Sequence, residues 1–171
     1  MKIFSRNGKR TTSNTQNSNS SIYDIFLSYS HNDKAVALAV YGILTRIYNM
    51  KVWFEDVEIV NNDDYAEKIL SGIKNSKCVV SILSKSYVKS IKCNELKIGK
   101  SFKKRLFLII IDNIKIEEYA IGYHVIGNKQ CDLSQNTNWL NSSLTSRKEF
   151  NELIIEILKN IQTQANSIEI E

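Results

Sequence analysis

Short apolar runs alternate along this chain with longer segments in which apolar residues recur every three or four positions. Runs of about four to eight residues rich in β-branched side chains are typical of strands buried on both faces of a parallel sheet. The spaced patterns are typical of amphipathic helices with one apolar face. The runs predict strands over residues 23–28, 52–54, 77–83, 105–111 and within 123–131.

The helical patterns lie between these strands and after the last of them. Residues 84–90 predict a serine-rich connection, and residues 112–119 an irregular one or a single helical turn. Because parallel neighbours are joined by right-handed crossovers, the alternation predicts a parallel sheet with helices on both faces. The predicted helices cover residues 34–49, 64–73, 91–102 and 146–161, the last beginning with a capping-box pattern at Ser146.

The length and composition suit one globular domain. With 171 residues, 43% of them hydrophobic, the chain can bury one sizeable core. The first 21 residues contain mainly polar side chains and little to bury, so they predict a disordered basic tail. We place the domain over residues 22–165 and a second disordered tail over residues 166–171.

The charge, the cysteine content and the short apolar runs exclude several classes of protein. Four basic residues lie in the acid-free first 21 positions, and without them the net charge of +5 falls to about +1, so no nucleic-acid surface is expected. Three cysteines without a CxxC spacing and two distant histidines predict neither a disulfide framework nor a metal site, and they fit a reducing cytoplasm. The longest apolar run, Leu106–Ile111, is far shorter than the roughly 20 residues of a membrane span, so no membrane contact is expected.

The polar residues that follow the strands are the candidates for a functional site. In a parallel sheet, ligands bind beyond the carboxyl ends of the strands. No strand is followed by GxGxxG or GxxxxGK[ST], so a nucleotide that binds here is held without a glycine-rich loop. The segment from Ser84 to Glu95 follows a predicted strand and ends on a helical carboxylate, which makes it the first candidate.

Three segments, in this order, resemble sequence boxes of the Toll/interleukin-1 receptor (TIR) domain family. They are Tyr23–Ser30 (YDIFLSYS) with Asp33 just beyond, Val52–Asp56 (VWFED), and Ser81–Leu96 (SILSKSYVKSIKCNEL). The resemblance covers about residues 22–112. It implies a flavodoxin-like α/β fold, a three-layer sandwich with five parallel strands in the order 2-1-3-4-5 and helices on both faces.

The resemblance also implies one of two functions. Some members of the family cleave the nicotinamide–ribose bond of NAD+ to give ADP-ribose or a cyclic ADP-ribose-type signal, whereas others associate with further TIR domains and do no chemistry. Glu95 aligns with the glutamate that is catalytic in the first group. Nicotinamide leaves as a neutral molecule, so one carboxylate that stabilises an oxocarbenium-like ribose suffices. NAD+ is then the substrate, and no cofactor or metal is expected.

Further residues near the expected cleft are candidates for substrate contacts. Asp33 is equally consistent with a helix cap, whereas Trp53 and Phe54, which alternate across their strand, are also consistent with core aromatics. The predicted contacts are Ser28, Tyr29, Ser30, Asp33, Trp53, Phe54 and Ser84.

The wider role follows from the resemblance. Asn61-Asn62 stands where the family often has Pro-Gly, in a loop that commonly governs self-association and access to the pocket. The preferred interpretation is a cytoplasmic NAD+ glycohydrolase or cyclase of bacterial antiphage defence, which self-associates and whose product is sensed by an effector protein. The alternatives are a non-catalytic adaptor module, including a virulence factor that interferes with host TIR signalling, and a nucleoside deoxyribosyltransferase-like enzyme.

Overall fold

A computed structural model of the protein describes residues 22–60, 64–119, 122–125, 127–135 and 148–168. Four features named above lie wholly or partly outside the described residues. They are the tail over residues 1–21, the Asn61-Asn62 turn, the capping box at Ser146 and residues 169–171 of the second tail.

Five parallel strands form one sheet in the order β2-β1-β3-β4-β5, which confirms the predicted fold class. The three central strands are largely buried because helices cover both faces of the sheet. The strands are β1 (Tyr23–Ser28), β2 (Val52–Trp53), β3 (Ser76–Leu83), β4 (Arg105–Ile110) and β5 (Lys129–Asp132).

The helices divide between the two faces of this sheet. They are α1 (Lys34–Arg46), α2 (Glu55–Glu58), α3 (Tyr65–Lys74), α4 (Lys85–Lys89), α5 (Cys93–Ser101), α6 (Gly122–Val125) and α7 (Lys148–Ile168), with single 3-10 turns over His31–Asp33 and Ile116–Glu118. Buried residues of α1 and α7 pack on one face, which we call the α1/α7 face, and those of α3, α4 and α5 pack on the other, the α3/α5 face. Among the described helices, none combines the length and apolar character needed to cross a lipid bilayer.

The strand residues alternate between these two cores. Along β1, Ile25 and Leu27 pack on the α1/α7 face and Phe26 on the α3/α5 face, as the period of two requires. Trp53 of β2 stacks on Phe26 with ring centroids 4.5 Å apart. The next residue, Phe54, packs on the opposite face. The alternation of side chains along the strand therefore places Trp53 on the α3/α5 face and Phe54 on the α1/α7 face.

Two segments differ from the sequence predictions. The predicted serine-rich connection over residues 84–90 contains the short helix α4, because Ser84 accepts a 2.9 Å hydrogen bond from the Tyr87 amide and caps the turn. Residues 123–125 belong to α6, and the short edge strand predicted within residues 123–131 is β5, at residues 129–132. Gly127, with φ of 82°, takes the left-handed conformation that separates the two.

The last helix extends beyond the predicted end of the domain. We placed that boundary at residue 165, but α7 continues to Ile168, so residues 166–168 belong to the helix and not to a tail. No glycine or proline occurs in α7, and nothing in its sequence therefore stops the helix at residue 165.

Candidate active site

Glu95 lies beyond the carboxyl end of the sheet, in the first turn of α5. It is only 6% exposed, and its Oε2 accepts a 2.5 Å hydrogen bond from Oγ of Ser28, the last residue of β1. Ser28 stands at the tip of a central strand, level with Ser81 of β3. The carboxylate therefore faces the strand tips, where a parallel sheet binds its ligands.

Tyr87 of α4 holds the Ser28 hydroxyl in position for its contact with Glu95. Its side chain is fully buried, and its Oη lies 2.7 Å from Oγ of Ser28. Since Ser28 gives its proton to Glu95, the phenol of Tyr87 donates to Ser28. Burial, followed by the charge of Glu95, raises the pKa of Tyr87 far above its ordinary value, so the phenol stays protonated. This chain of hydroxyls fixes one oxygen of the carboxylate.

Lys92 approaches the other oxygen. It is 5% exposed, and its Nζ lies 3.5 Å from Oε1 of Glu95. The same ammonium donates to Oε2 of Glu55 and to Oη of Tyr65. Glu55 also accepts a 3.0 Å hydrogen bond from Tyr65, and Nε2 of His31 lies 3.5 Å from its Oε1. One buried ammonium is thus shared between two carboxylates.

These surroundings change the acidity of Glu95. Burial raises its pKa to about 7, while the charge of Lys92 and the hydrogen bond from Ser28 lower it and the charge of Glu55 raises it. Desolvation is the largest of these effects, so the carboxyl group changes its ionisation near neutral pH. A glutamate on an open helix surface would be fully ionised there. Carboxyl groups perturbed in this way are concentrated in functional sites.

An open pocket of about 260 Å³ lies between α3 and α5, and Glu95 forms part of its wall. The lining is mainly apolar, and the charged side chains in it are Lys92 and Glu95. Within the described part of the chain, no group of three or more His, Cys, Asp or Glu side chains is arranged to hold a metal ion. The lining residues are Tyr65, Ala66, Ile69, Ile91, Lys92, Asn94, Glu95 and Ile98.

Ser30, Asp33 and Ser84, all predicted substrate contacts, form a polar rim at the strand tips. Oγ of Ser84 donates a 2.5 Å hydrogen bond to Oδ2 of Asp33. Asp33 makes no side-chain cap on α1, and Ser30 instead accepts a 3.4 Å hydrogen bond from the Asn32 amide at the start of the 3-10 turn. Burial raises the pKa of Asp33, although the Ser84 hydrogen bond opposes that shift. Contact of this rim with a substrate stays a prediction.

The aromatic candidates lie deeper than the sequence suggests. Tyr29 is 1% exposed and donates a 2.6 Å hydrogen bond to Oδ2 of Asp56. Phe54 is completely buried and stacks on Tyr29, with ring centroids 5.1 Å apart. Trp53 is 3% exposed and stacks on Phe26. The structure favours the core interpretation of Trp53 and Phe54, and of the predicted contacts it brings only Ser28 onto Glu95.

The sequence reasoning did not single out Lys92, Glu55, Tyr65 or Tyr87. Lys92 stands one helical turn before Glu95, and that spacing is a usable signal for a side-chain pair. Glu55 lies 37 positions from Lys92, and their contact depends on how α2 packs beside α5. No sequence pattern encodes that packing.

The order 2-1-3-4-5, with helices on both faces and a polar cluster beyond the strand tips, defines a doubly wound α/β protein of the flavodoxin-like class. Within that class the chain belongs to the TIR domain family, whose sequence model matches residues 25–152.

Two curated relatives match about half of the chain. A probable 2′ cyclic ADP-D-ribose synthase, TcpO of Methanobrevibacter olleyae, is 33% identical over 94 residues, which cover 52% of this chain and 28% of that protein. Toll-like receptor 4 of Pinctada imbricata is 32% identical over 100 residues, which cover 53% of this chain and 11% of the receptor. The chain therefore spans less than a third of the length of either relative.

A solved structure has the same fold over most of the chain. The TIR domain of the Toll-related receptor TRR-2 from Hydra magnipapillata superposes with a TM-score of 0.61, at 18% identity, over 79% of this chain and 98% of that domain. At that identity the likeness establishes the architecture alone.

Proposed function

We propose that this protein is a TIR-domain NAD+ glycohydrolase or cyclase in which Glu95 is the catalytic residue. The observation that carries the proposal is the position of Glu95, a buried carboxylate held by Ser28 at a strand tip and by Lys92, in the wall of a pocket between α3 and α5. The similarity of half the chain to a probable 2′ cyclic ADP-D-ribose synthase supports it.

The pocket suits a cationic aromatic group. Its walls are largely apolar, and Glu95 contributes a carboxylate to them beside the ammonium of Lys92, whose charge is also neutralised by Glu55 from outside the lining. An oxidised nicotinamide ring is flat and positively charged, so both properties favour its binding. Neutral nucleoside bases lack that charge and need a general acid to help them leave.

The reaction requires little from the protein beyond this carboxylate. The bond between the ribose C1′ and the nicotinamide nitrogen breaks, and its electron pair neutralises the ring nitrogen. Positive charge develops on the ribose, where ionised Glu95 stabilises it electrostatically or by brief covalent attack. Water then gives ADP-ribose, and a hydroxyl of the same molecule gives a cyclic product. In either case the attacking oxygen releases one proton.

A second candidate function is a non-catalytic interaction module. Three apolar side chains near the charged cluster are exposed, namely Val57 at 56%, Val60 at 66% and Ile91 at 80%. Exposed apolar side chains favour contact with another protein surface when they form one contiguous patch. The similarity to a Toll-like receptor agrees with that function. Self-association is also compatible with catalysis.

The biological setting of the enzyme is part of the same proposal. We place it in bacterial antiphage signalling in the cytoplasm, where an effector protein senses the nucleotide product. Interference with host TIR signalling by a virulence factor is the alternative setting. Identification of the product by mass spectrometry distinguishes hydrolysis, cyclisation and base exchange.

The test is the release of nicotinamide from NAD+ by the full chain, at high protein concentration or with a crowding agent. We expect Glu95→Gln to reduce the rate by at least about 100-fold, because the charge that stabilises the transition state is lost. Glu67→Gln, on the exposed side of α3 near the same pocket, is the matched control and should leave the rate unchanged.

Two other outcomes would contradict the proposal. If wild type and Glu95→Gln were equally inactive under assembling conditions while both bound a second TIR protein, the interaction module would replace the enzyme. If a panel of substrates showed cleavage of nucleosides and not of NAD+, the deoxyribosyltransferase-like alternative would be correct.

A further inference from the structure

Lys92 is an unusual residue to find almost completely buried. Lysine side chains are rarely enclosed, because removing an ammonium from water is expensive unless it is paired. Here the exposed fraction is 5%, and all the identified partners are polar groups of the site. Its backbone amide is held as well, by a 3.2 Å hydrogen bond to Oγ of Ser90. Both the ammonium and the backbone amide of Lys92 are therefore held in place.

The partners of Lys92 come from three different elements. Glu55 belongs to α2, Tyr65 begins α3, and Glu95 lies one turn further along α5. Glu55 is anchored by Tyr65 and approached by His31, so it cannot follow Lys92 freely. The ammonium occupies a fixed point between two carboxylates, closer to Glu55 than to Glu95.

This arrangement acts on Glu95 in two opposite directions. The ammonium favours the ionised form of Glu95, and the charge of Glu55 disfavours it. Removing the charge of Lys92 should therefore raise the pKa of Glu95, and removing the charge of Glu55 should lower it. Several titratable groups surround Lys92 and Glu95. They are Glu55, Tyr65, Tyr87, Cys93 of α5 and, through its contact with Glu55, His31.

We propose that Lys92 is a positioning residue, which favours the ionised form of Glu95 and directs its Oε1, while Glu55 limits that influence by sharing the ammonium. The inference rests on the proposed function for its kinetic consequence, but not for the effect on the carboxyl group itself. Lys92 contacts no reacting atom in this scheme and works only through Glu95.

The first test is the pH profile of NAD+ cleavage in three variants of the full chain. Lys92→Met, which keeps the length of the side chain without its charge, should move the acid limb up by about one unit or more, a roughly tenfold loss of rate below the midpoint. Glu55→Gln should move the same limb down, because the repulsion disappears and Lys92 turns wholly to Glu95. Lys92→Arg retains the positive charge, so its limb should lie closer to that of wild type than the limb of Lys92→Met does.

The opposite signs are what make the test decisive. A role confined to stability would lower the rate of both variants and leave the acid limb in place. The inference is overturned if Lys92→Met and Glu55→Gln shift the limb in the same direction, or if neither shifts it.

A second measurement does not depend on activity. In protein labelled at the glutamate side-chain carboxyl carbon, NMR titration reports the pKa of Glu95 directly, and Glu95→Gln assigns the signal. We expect the titration midpoint to rise in Lys92→Met and to fall in Glu55→Gln. If wild type releases no nicotinamide while these shifts occur, the proposed function fails and the role of Lys92 stands. If the midpoint is unchanged in both variants, the role of Lys92 fails whatever the activity.

Discussion

At the scale of single residues, Glu95 illustrates the tension between burial and charge. An ionised carboxylate that is 6% exposed has lost most of its hydration, and Ser28 and Lys92 replace only part of it. The pKa of Glu95 is raised to about 7 because these contacts do not replace all of the lost hydration. The folded protein therefore binds a proton more tightly at this position than the unfolded chain does, and its stability depends on pH.

We predict that Glu95→Gln stabilises the protein at high pH and not at low pH. Between the ordinary value of 4.5 and the folded value of about 7, the folded wild type retains a proton that the unfolded chain has released, so its stability falls as the pH rises through this window. Glutamine carries no such penalty. The free energy of unfolding of the variant should exceed that of wild type by about 3 kcal/mol above the window, and the difference should vanish below it.

Urea denaturation at a series of pH values measures this difference. Glu67→Gln is again the control, because an exposed helical glutamate should give a nearly constant difference across the series. A Glu95→Gln variant that was less stable than wild type above the window would show that Glu95 is stabilised in its ionised form and that burial is not the dominant effect.

At the scale of the elements, the contact between α3 and β2 fixes one wall of the pocket. Trp53 of β2 lies against Gly72 of α3, where an added Cβ would come within 2.6 Å of the indole ring. The close approach brings Ile69, on the same helix, into the α3/α5 core and into the pocket lining. The glycine thus sets how near α3 lies to the sheet.

We expect Gly72→Ala to destabilise the protein by about 1–3 kcal/mol, because the new methyl group overpacks against a buried ring. Gly42→Ala is the matched control in the middle of α1, where a Cβ would meet nothing within 4 Å. That substitution should stabilise the protein by roughly 0.5–1 kcal/mol through helix propensity alone. Thermal or chemical unfolding of the two variants measures both effects. Equal responses would mean that α3 can move away from Trp53 without penalty.

Local sequence patterns predicted most elements but not all of their contacts. The buried runs located β1 to β4, because apolar side chains on both faces leave a clear signature, whereas β5, with one buried residue, was placed only within a longer segment. The cap that makes α4 a helix involves only Ser84 and Tyr87, but a serine-rich segment fits a loop equally well. Trp53 and Phe54 remained ambiguous because a strand pattern does not say which face meets a pocket and which a core.

The site was predictable to a similar extent. The family resemblance singled out Glu95, and the rule for strand tips indicated where to look. The pairing of Lys92 with Glu55 joins positions 37 apart and depends on the tertiary packing of two short helices. Tyr29 shows the same limit, since its hydroxyl donates a hydrogen bond to Asp56, 27 positions along the chain.

At the scale of the whole molecule, the strands differ in how well they are enclosed. β3 pairs with β1 on one side and β4 on the other, and its residues from Cys78 to Leu83 are completely buried. β5 lies at one edge of the sheet, and of its four residues only Cys131 is buried.

We therefore expect amide hydrogen exchange to be slowest in β3, where it should require global unfolding, and faster by at least about tenfold in β5. Exchange followed by NMR or mass spectrometry on the full chain checks this ranking. Protection in β5 equal to that in β3 would contradict it, since it would show that the edge opens only when the whole sheet does.

The hydrogen bond between Ser28 and Glu95 joins residues 67 positions apart, on opposite sides of two crossover connections. A single proteolytic cut anywhere between them places the acid and the serine that orients it on separate pieces of polypeptide. Breaks after β5 leave both on one piece, together with four of the strands on which they depend and the edge strand that completes the sheet. The proposed catalytic site is therefore most sensitive to a break of the chain between Ser28 and Glu95.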